Sequence, residues 1–231
     1  MLIWLKTRDG SSTLWDNELS EPYRSLRGAF TESFEAYVAP MLDHIDEINI
    51  KGTLNIGEFG LGPGTNFILS QAFLQALCPD LKINYFVVER NPNIFLESMD
   101  HWKQEETQIS EFVMSKTGID KSFSTSSFED PTILADFDSF IAQETPLLDV
   151  WYHDPFGIDV NPEGYHAELF QALYPKLNSN VIGLSYACNR KFKSSLEKAN
   201  FEHQTPKMVA RHMNRDRIEF FKAQASDSTS T

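Results

Sequence analysis

The chain has 231 residues, of which 41% are hydrophobic and 13% aromatic, and this fits a single globular domain with its own core. The sequence has no apolar run of ~18 residues and no signal-peptide layout at its charged N-terminus, so we expect no membrane partner. Its two cysteines and six histidines show no disulfide framework and no metal-binding spacing. We therefore expect a cytoplasmic protein without a metal.

The charge is negative overall but unevenly distributed. A net charge of −13 argues by itself against a nucleic-acid partner. Residues 1–175, however, carry 10 Lys and Arg against 28 Asp and Glu, whereas residues 176–222 carry 10 against 4, a net of +6. The basic part indicates either a surface that faces a polyanion or simply the solvated side of the last helices.

The first 52 residues form the N-terminal part of the chain. We predict short strands at residues 13–15 and 37–38, and a helix over residues 40–50. Between the two strands, residues 21–33 are rich in polar and aromatic side chains around Gly28. This composition suits a segment that folds over a site, although an N-terminal decoration of short strands explains it equally well.

A glycine turn follows, with the sequence EFGLGPGTN at residues 58–66. Apolar or small residues precede it and a helical pattern follows it, so it predicts a strand, a turn and a helix. Gly60, Gly62 and Gly64 permit positive φ and close approach of a ligand to the helix N-terminus.

The spacing of this turn indicates the kind of ligand. It is GxGxG, which differs from the GxGxxG of a dinucleotide fold, and no lysine follows as in a Walker loop. Glu58 would repel a pyrophosphate but suits a positively charged cofactor such as S-adenosylmethionine. The alternative is a tight strand-to-helix turn without a ligand.

The next strand, residues 83–89, ends in an acid. Glu89 lies 25 residues after Gly64, where an acid at the end of the second strand of a nucleotide-binding unit accepts hydrogen bonds from ribose hydroxyls. We favour this role over that of a solvated carboxylate at a strand end.

The remaining elements follow the same alternation. Pro92 opens a helix that we predict to reach Trp102, and residues 103–127 predict no regular element. A third strand is expected to end near Ser126 and Ser127. The later predictions are strands at 147–154, 181–186 and 217–221, helices at 163–173 and 190–199, and a disordered tail at 223–231.

Asp154 ends one of the predicted strands. Ligands of open parallel sheets bind beyond the carboxyl ends of the strands, so Asp154 is the candidate that orients or deprotonates a nucleophile. His153 precedes it and faces the opposite side of the strand, so we predict a packed histidine there.

Five sequence blocks together resemble the MnmC-type methyltransferase domain, a tRNA-modifying family that includes the stand-alone MnmD-like enzymes. They are TRDGSSTLW at 7–15, YRSLRGAFTES at 23–33, the glycine turn at 58–67, DVWYHDPF with the later NP at 149–162, and NF at 200–201. The resemblance implies an α/β fold: a Rossmann-like, S-adenosylmethionine-dependent methyltransferase sheet with helices on both faces and a short N-terminal β-rich extension. The corresponding domains are residues 1–52, 53–222 and a tail.

The resemblance also implies roles for individual residues. Asp154 would be the catalytic acid beside an acceptor amine, the aminomethyl group of the wobble uridine in the tRNA anticodon loop. The implied cofactor-binding residues are Trp15, Glu58, Gly60, Gly62, Gly64, Asn66 and Glu89, with Ser126 and Ser127 near the position of the family's adenine-holding acid. The implied substrate residues are Pro155, Phe156, Asn161, Pro162, Arg215 and Arg217.

The family pattern leaves two alternatives open. The FAD-dependent oxidase domain of the bifunctional enzyme is not expected on this chain, and the resemblance leaves open whether a separate FAD-dependent oxidase is a partner. The diverged C-terminal NRDR at 214–217 and the acidic charge keep open a small-molecule or protein acceptor. The missing adenine-site acid keeps open a cofactor-binding relative without turnover.

Overall fold

The computed structural model describes residues 1–45, 52–208 and 216–223. The end of the helix predicted over 40–50, the tail from residue 224 and Arg215 lie outside these residues. Two sheets are present, a three-stranded one near the N-terminus and a seven-stranded one that forms the body of the molecule.

The strands are β1 Leu2–Lys6, β2 Ser12–Asp16, β3 Glu21–Pro22, β4 Thr53–Phe59, β5 Lys82–Val88, β6 Thr132–Leu134, β7 Leu148–His153, β8 Leu177–Ser185, β9 Phe201–Gln204 and β10 Ile218–Lys222. The small sheet is antiparallel in the order β1-β2-β3. The large sheet has the order β6-β5-β4-β7-β8-β10-β9. Strands β4 to β8 are parallel, and β10 is antiparallel to both of its neighbours.

The helices are α1 Ala29–Ser33, α2 Ala39–Ile45, α3 Thr65–Leu77, α4 Pro92–Gln104, α5 Glu106–Thr117, α6 Phe137–Ala142, α7 Ala167–Leu173 and α8 Arg190–Lys198. A π-helical turn, Phe34–Val38, joins α1 to α2. Short 3₁₀ turns occur at Thr125–Ser127, Pro162–Tyr165 and Tyr174–Lys176. The Rossmann-like α/β class and the N-terminal β extension are therefore confirmed.

The core explains why the central elements form. β4, β5 and β7 are rich in apolar side chains and are largely buried, as is usual for parallel strands covered on both faces. In α3, ten consecutive residues from Thr65 to Leu74 are buried, because this helix packs against α1, the π-helical turn and α5, and against Tyr85 and Tyr152 of the sheet.

The N-terminal sheet is fixed to the body by specific contacts. The Lys6 ammonium lies 2.6 Å from Glu105, and the Trp4 ring stacks on His101 with centroids 3.6 Å apart. Asp9, in the β1–β2 turn, accepts hydrogen bonds from the N–H groups of Ser11 and Thr31. The TRDGSSTLW block thus secures the start of the helical segment that carries Tyr37.

Three predictions about local structure were wrong. Residues 37–38 lie in the π-helical turn, because the packing of Tyr37 and Val38 in the core outweighs their preference for strands. The stretch 103–127, predicted to lack regular structure, contains α5, which buries Ile109 and Val113 one turn apart. The third strand is β6, and it begins after Ser126 and Ser127.

Candidate active site

The glycine turn connects β4 to α3 and depends on its glycines. Gly60, Gly62 and Gly64 have φ values of 88°, 52° and 85°, which ordinary L residues rarely adopt. A Cβ atom at Gly60 would lie 2.6 Å from the Asp154 carbonyl oxygen, and one at Gly62 would lie 2.5 Å from the Tyr23 ring. The glycines therefore let the ends of β4 and β7 meet under the N-terminal segment.

Glu89, at the end of β5, lies directly against this turn. One of its carboxylate oxygens accepts hydrogen bonds of 3.0 Å from the N–H groups of Leu61 and Gly62, and the other accepts from the Asn91 N–H at 2.8 Å. Glu89 therefore lies beside the glycine turn, as its position after the second strand of the unit predicted. A half-buried carboxylate at this edge can also reach hydroxyl donors.

Asp154 follows β7, and its N–H donates to the carbonyl of Phe59 at 2.9 Å. Its carboxylate accepts four hydrogen bonds. Both terminal nitrogens of Arg24 donate to it, Tyr37 donates through its hydroxyl at 2.7 Å, and Asn66 donates through Nδ2 at 2.9 Å. The side chains of Arg24 and Asp154 are only 5% and 6% exposed, so this is a buried ion pair.

Asn66 links Asp154 to a second carboxyl group. Its Nδ2 also donates to Glu58 at 2.8 Å, and the Tyr85 hydroxyl donates to the other oxygen of Glu58 at 2.9 Å. Burial raises the pKa of Glu58 to about 7, although the hydrogen bond from Asn66 and the charge of Arg24 act to lower it. We call Arg24, Tyr37, Glu58, Asn66 and Asp154 the polar network.

The N-terminal residues 21–28, which we call the strap, cross over this region. The Tyr23 ring lies on Gly62 and contacts Phe156 edge-on, with ring centroids 4.8 Å apart. Burial, followed by the charges of Asp16 and Glu89, raises the pKa of the Tyr23 hydroxyl well above its usual value. The strap therefore covers both the glycine turn and Asp154. This favours the interpretation of residues 21–33 as a segment that folds over a site.

The predicted substrate residues follow Asp154 along the chain. The Pro155 carbonyl accepts from the Tyr186 hydroxyl at 3.0 Å, and Phe156 contacts Tyr23. Asn161 and Pro162 begin the short helical turn after this loop, and Gly164 of that turn lies beside Pro155. These residues form the rim of the region below the strap.

Two predicted cofactor residues lie away from the glycine turn. Ser126 and Ser127 precede β6 instead of following it, and Ser127 lies near Lys82 and Ile83 at the opposite end of β5. The acid that follows β6 is Asp136, whose carboxylate accepts from the Ser139 N–H at 2.7 Å and caps α6. Sequence reasoning missed Asp136, although a short apolar run ending in an acid, residues 132–136, was its signal.

Trp15, a predicted cofactor residue, and Arg217, a predicted substrate residue, both bind groups outside the glycine turn. Trp15 lies in β2, and its indole N–H donates to Asn17 in the same hairpin at 3.1 Å. Arg217 precedes β10, and its guanidinium binds Glu219 at 2.7 Å and the Glu35 carbonyl at 3.3 Å. Because β10 pairs with the end of β8, Arg217 is close to Tyr186 at the carboxyl edge of the sheet.

His153 lies on the other face of β7, as predicted, in a cluster of aromatic rings. It stacks on Phe59 and Phe192 with centroids 5.5 and 5.1 Å away, and it contacts Tyr165 and Phe170 at 5.1 and 4.9 Å. Burial lowers the pKa of His153 to about 3, so the imidazole is neutral. We call His153 and these four rings the aromatic cage.

The carboxyl edge of the sheet suits a cationic, hydroxyl-bearing cofactor. Three neighbouring strands have an acid at or just beyond their carboxyl ends, namely Glu58 in β4, Glu89 after β5 and Asp154 after β7. A fourth acid, Asp136, follows β6. The Thr65 hydroxyl is buried at the start of α3 without a hydrogen-bond partner, next to the glycine turn. Acids at this edge offer acceptors for ammonium and ribose hydroxyl groups, and they disfavour a pyrophosphate.

Two further properties concern only the part of the chain that the structure describes. Its His, Cys, Asp and Glu side chains form no group of three or more that could hold a metal ion. None of its helices combines the length and apolar character needed to cross a membrane.

The parallel sheet with one reversed strand, the glycine turn after the first strand and the acid after the second define a Rossmann-like methyltransferase architecture. A family model for S-adenosyl-L-methionine-dependent methyltransferases matches residues 100–218, just over half of the chain. The chain therefore belongs to this family of S-adenosylmethionine-dependent methyltransferases.

Two solved structures of methyltransferases are similar to this chain to different degrees. MnmC2 from Aquifex aeolicus is 19% identical, with a TM-score of 0.70 over 97% of this chain and 71% of that one. Magnesium protoporphyrin IX methyltransferase from Synechocystis PCC 6803 is 13% identical, with a TM-score of 0.44 over 83% of this chain and 80% of that one. The sequence matches none of the curated proteins with which it was compared. The resemblance to the MnmC-type domain is thus confirmed.

Proposed function

We propose that this chain methylates a primary amine, and that the amine is the 5-aminomethyl group of the wobble uridine of tRNA. One observation carries the proposal. The backbone of Asp154 and Pro155 follows β7 and directly adjoins Gly60 of the glycine turn, where a sulfonium methyl group would be held, and the Asp154 carboxylate accepts from Asn66 at the start of α3. A carboxylate is an acceptor that suits the N–H groups of an amine. The likeness in fold to MnmC2 and the sequence blocks support tRNA as its carrier.

The cofactor residues are proposed from their place at the carboxyl edge. The glycine turn with Glu58 and Asn66 would receive the methionine end, and Glu89 would bind the ribose after releasing the N–H groups of Leu61 and Gly62. For the adenine-holding acid, which the sequence had not revealed, we propose Asp136, because it follows β6 at the same edge of the sheet. Ser126, Ser127 and Trp15 lack comparable support.

Methyl transfer would require little from the protein beyond alignment of the amine with the methyl group of the cofactor. When bound, S-adenosylmethionine supplies an electrophilic methyl group. Asp154 would orient the neutral amine towards it, and the strap would exclude water from the site. No nucleophilic Ser or Cys is required. The product amine then loses its extra proton.

The tRNA partner is proposed to bind at the basic end of the sheet. Helix α8 begins after β8 at the same edge as Asp154, and it carries Arg190, Lys191 and Lys193 in its first turn and Lys198 in its last. Arg217 lies at this edge as well, although Glu219 neutralises it. A phosphate backbone would meet these cations while the acidic remainder of the protein faces solvent. A cytoplasmic location and a separate oxidase stay predictions.

The first test is calorimetric binding of S-adenosylmethionine to the wild type, Glu89→Ala and Glu97→Ala. Glu97 is an exposed acid on α4, away from the glycine turn, and serves as the matched control. We expect micromolar binding by the wild type and Glu97→Ala, and a loss of at least about tenfold in Glu89→Ala, because ribose hydroxyls lose a charged acceptor. No binding by the wild type contradicts the proposed function.

The second part of the test identifies the acceptor. Methyl transfer from labelled cofactor is measured with tRNA that carries the aminomethyl group, and with tRNA that lacks it. Transfer only to the first supports the proposal. Cofactor binding without transfer to either tRNA favours a different acceptor or a relative without turnover.

A further inference from the structure

The strap contributes the principal cation of the site. Asp154 has about four lone-pair positions, and Arg24, Tyr37 and Asn66 fill them all with N–H or O–H donors. The two donors from Arg24 form a parallel, fork-like pair. Arg24 lies 130 residues from Asp154 in the chain, and the proposed function gave it no role.

Arg24 is itself firmly placed. Its backbone N–H donates to the Thr13 hydroxyl at 2.9 Å, and its guanidinium lies 5.4 Å from the centre of the Tyr37 ring. Tyr37 is fully buried in the π-helical turn, a local widening of the helix of a kind common at functional sites. Two separate segments of the N-terminal part thus converge on one carboxylate.

We propose that Arg24 is a positioning residue that keeps Asp154 ionised and fixed, so that Asp154 orients the acceptor amine by a hydrogen bond without taking its proton. The proposal rests on the proposed function. A carboxylate paired with a buried guanidinium is a weak base, because its protonation would leave the cation unpaired. With Arg24 in place, Asp154 therefore accepts a hydrogen bond from the amine and orients it without removing its proton.

The amine needs a free place at the carboxylate, and Asn66 can yield one. Its Nδ2 group also donates to Glu58, so it keeps an acceptor when the amine replaces it at Asp154. The amine lone pair then forms the new N–C bond while the S–C bond breaks and its electrons stay on sulfur. The resulting methylammonium carries the positive charge, and its proton passes to water.

The direct test follows the Asp154 carboxyl carbon by ¹³C NMR during a pH titration. It compares the wild type with Arg24→Gln, and with Arg27→Gln as the control, because Arg27 is an exposed cation of the same strap. We expect the Asp154 resonance to titrate at least about one pH unit higher in Arg24→Gln than in the other two proteins. An unchanged midpoint overturns the proposal, whether or not the protein is active.

The second test measures kcat/KM for amine methylation against pH. In the wild type only the substrate amine must lose a proton, so the acid limb of the logarithmic profile has a slope of about one. In Arg24→Gln, Asp154 must also be ionised, so the slope approaches about two at pH values below the raised Asp154 midpoint. Arg24→Lys keeps the charge, so its profile keeps the wild-type shape at a lower rate. A wild-type profile in the Gln variant contradicts the proposal.

A milder variant tests the proposal even if Arg24→Gln does not fold. Tyr37→Phe removes one donor to Asp154 and keeps the ring, so we expect a smaller shift of the Asp154 midpoint in the same direction. Failure of the wild type to bind cofactor or methylate the amine counts against the proposed function only. Failure of both substitutions to move the midpoint counts against the role of Arg24 only.

Discussion

Two adjacent residues, His153 at the end of β7 and Asp154 just after it, belong to regions with opposite physical character. Asp154 lies in the polar network, where each oxygen accepts two hydrogen bonds and Arg24 balances the charge. His153 lies in the aromatic cage, where burial keeps the imidazole neutral. Successive side chains of a strand point to opposite faces, so these two neighbours lie on opposite sides of the sheet. The polar network can serve chemistry, whereas the aromatic cage holds the strand that supports it.

Burial shifts the pKa values of the titratable groups in these two regions in opposite directions. Burial raises the pKa of Glu58 in the polar network to about 7 and lowers that of His153 in the aromatic cage to about 3. Between about pH 4.5 and 6.5 both groups are therefore more neutral in the folded state than in the unfolded chain. Both groups therefore lower the free energy of unfolding in this range, but their pH dependences have opposite signs and partly cancel.

The largest effect is expected from Asp154→Asn. This change keeps the shape of the side chain and leaves the Arg24 cation buried without a counter-charge. We expect the free energy of unfolding at pH 7 to fall by about 3–5 kcal/mol, measured by urea denaturation. The control is Asp149→Asn on the same strand, because Asp149 accepts hydrogen bonds from the neutral amides of Asn55 and Asn178. It should cost about 1–2 kcal/mol.

The double variant Arg24→Met, Asp154→Asn sharpens this prediction. If the loss comes from the uncompensated cation, removing that cation should restore part of the stability. The two single effects would then be far from additive. Additive losses would show instead that each side chain contributes separately, and that the ion pair is not the unit that matters.

The sequence predicted the site from the elements that carry strong local signals. The glycine turn, the apolar strands β5 and β7, and the acids Glu89 and Asp154 all follow from patterns within a few residues. The predicted convergence of these acids on one edge needed only the rule for parallel strands. The position of His153 followed from alternation along β7.

The missed features depend on tertiary contacts or on very short elements. No local pattern pairs Arg24 with Asp154 across 130 residues, and the helical state of Tyr37 is imposed by packing. β6 has three residues, too few for alternation to show, so the acid after it, Asp136, was not recognised. β9 was missed because no element was predicted between the helix at 190–199 and the strand at 217–221, whereas the left-handed Asn200, with φ of 64°, leads directly from α8 into β9.

The second prediction concerns the aromatic cage and uses His153→Phe. In the wild type, the unfolded chain binds a proton on His153 below about pH 6.5 and the folded protein does not until about pH 3. Stability due to this group therefore falls as the pH falls, by about 1.4 kcal/mol per pH unit, or about 2 kcal/mol at pH 5. His153→Phe should remove this loss and leave stability at pH 8 nearly unchanged. Equal acid sensitivity of the two proteins would contradict a neutral buried imidazole.

The smallest effect is expected from Glu58→Gln, and its sign is the reverse. Folded Glu58 keeps its proton up to about pH 7, whereas the unfolded carboxyl loses it near pH 4.5, so stability due to this group falls as the pH rises between these values. The fall is about 1.4 kcal/mol between pH 5 and 6. Glu58→Gln keeps the contacts with Asn66 and Tyr85 but cannot ionise, so its free energy of unfolding should rise with pH over this interval, driven by His153. Combined with His153→Phe, it should give a profile that these two groups no longer tilt. A double variant that keeps the slope of either single variant would show that another buried group titrates in this range.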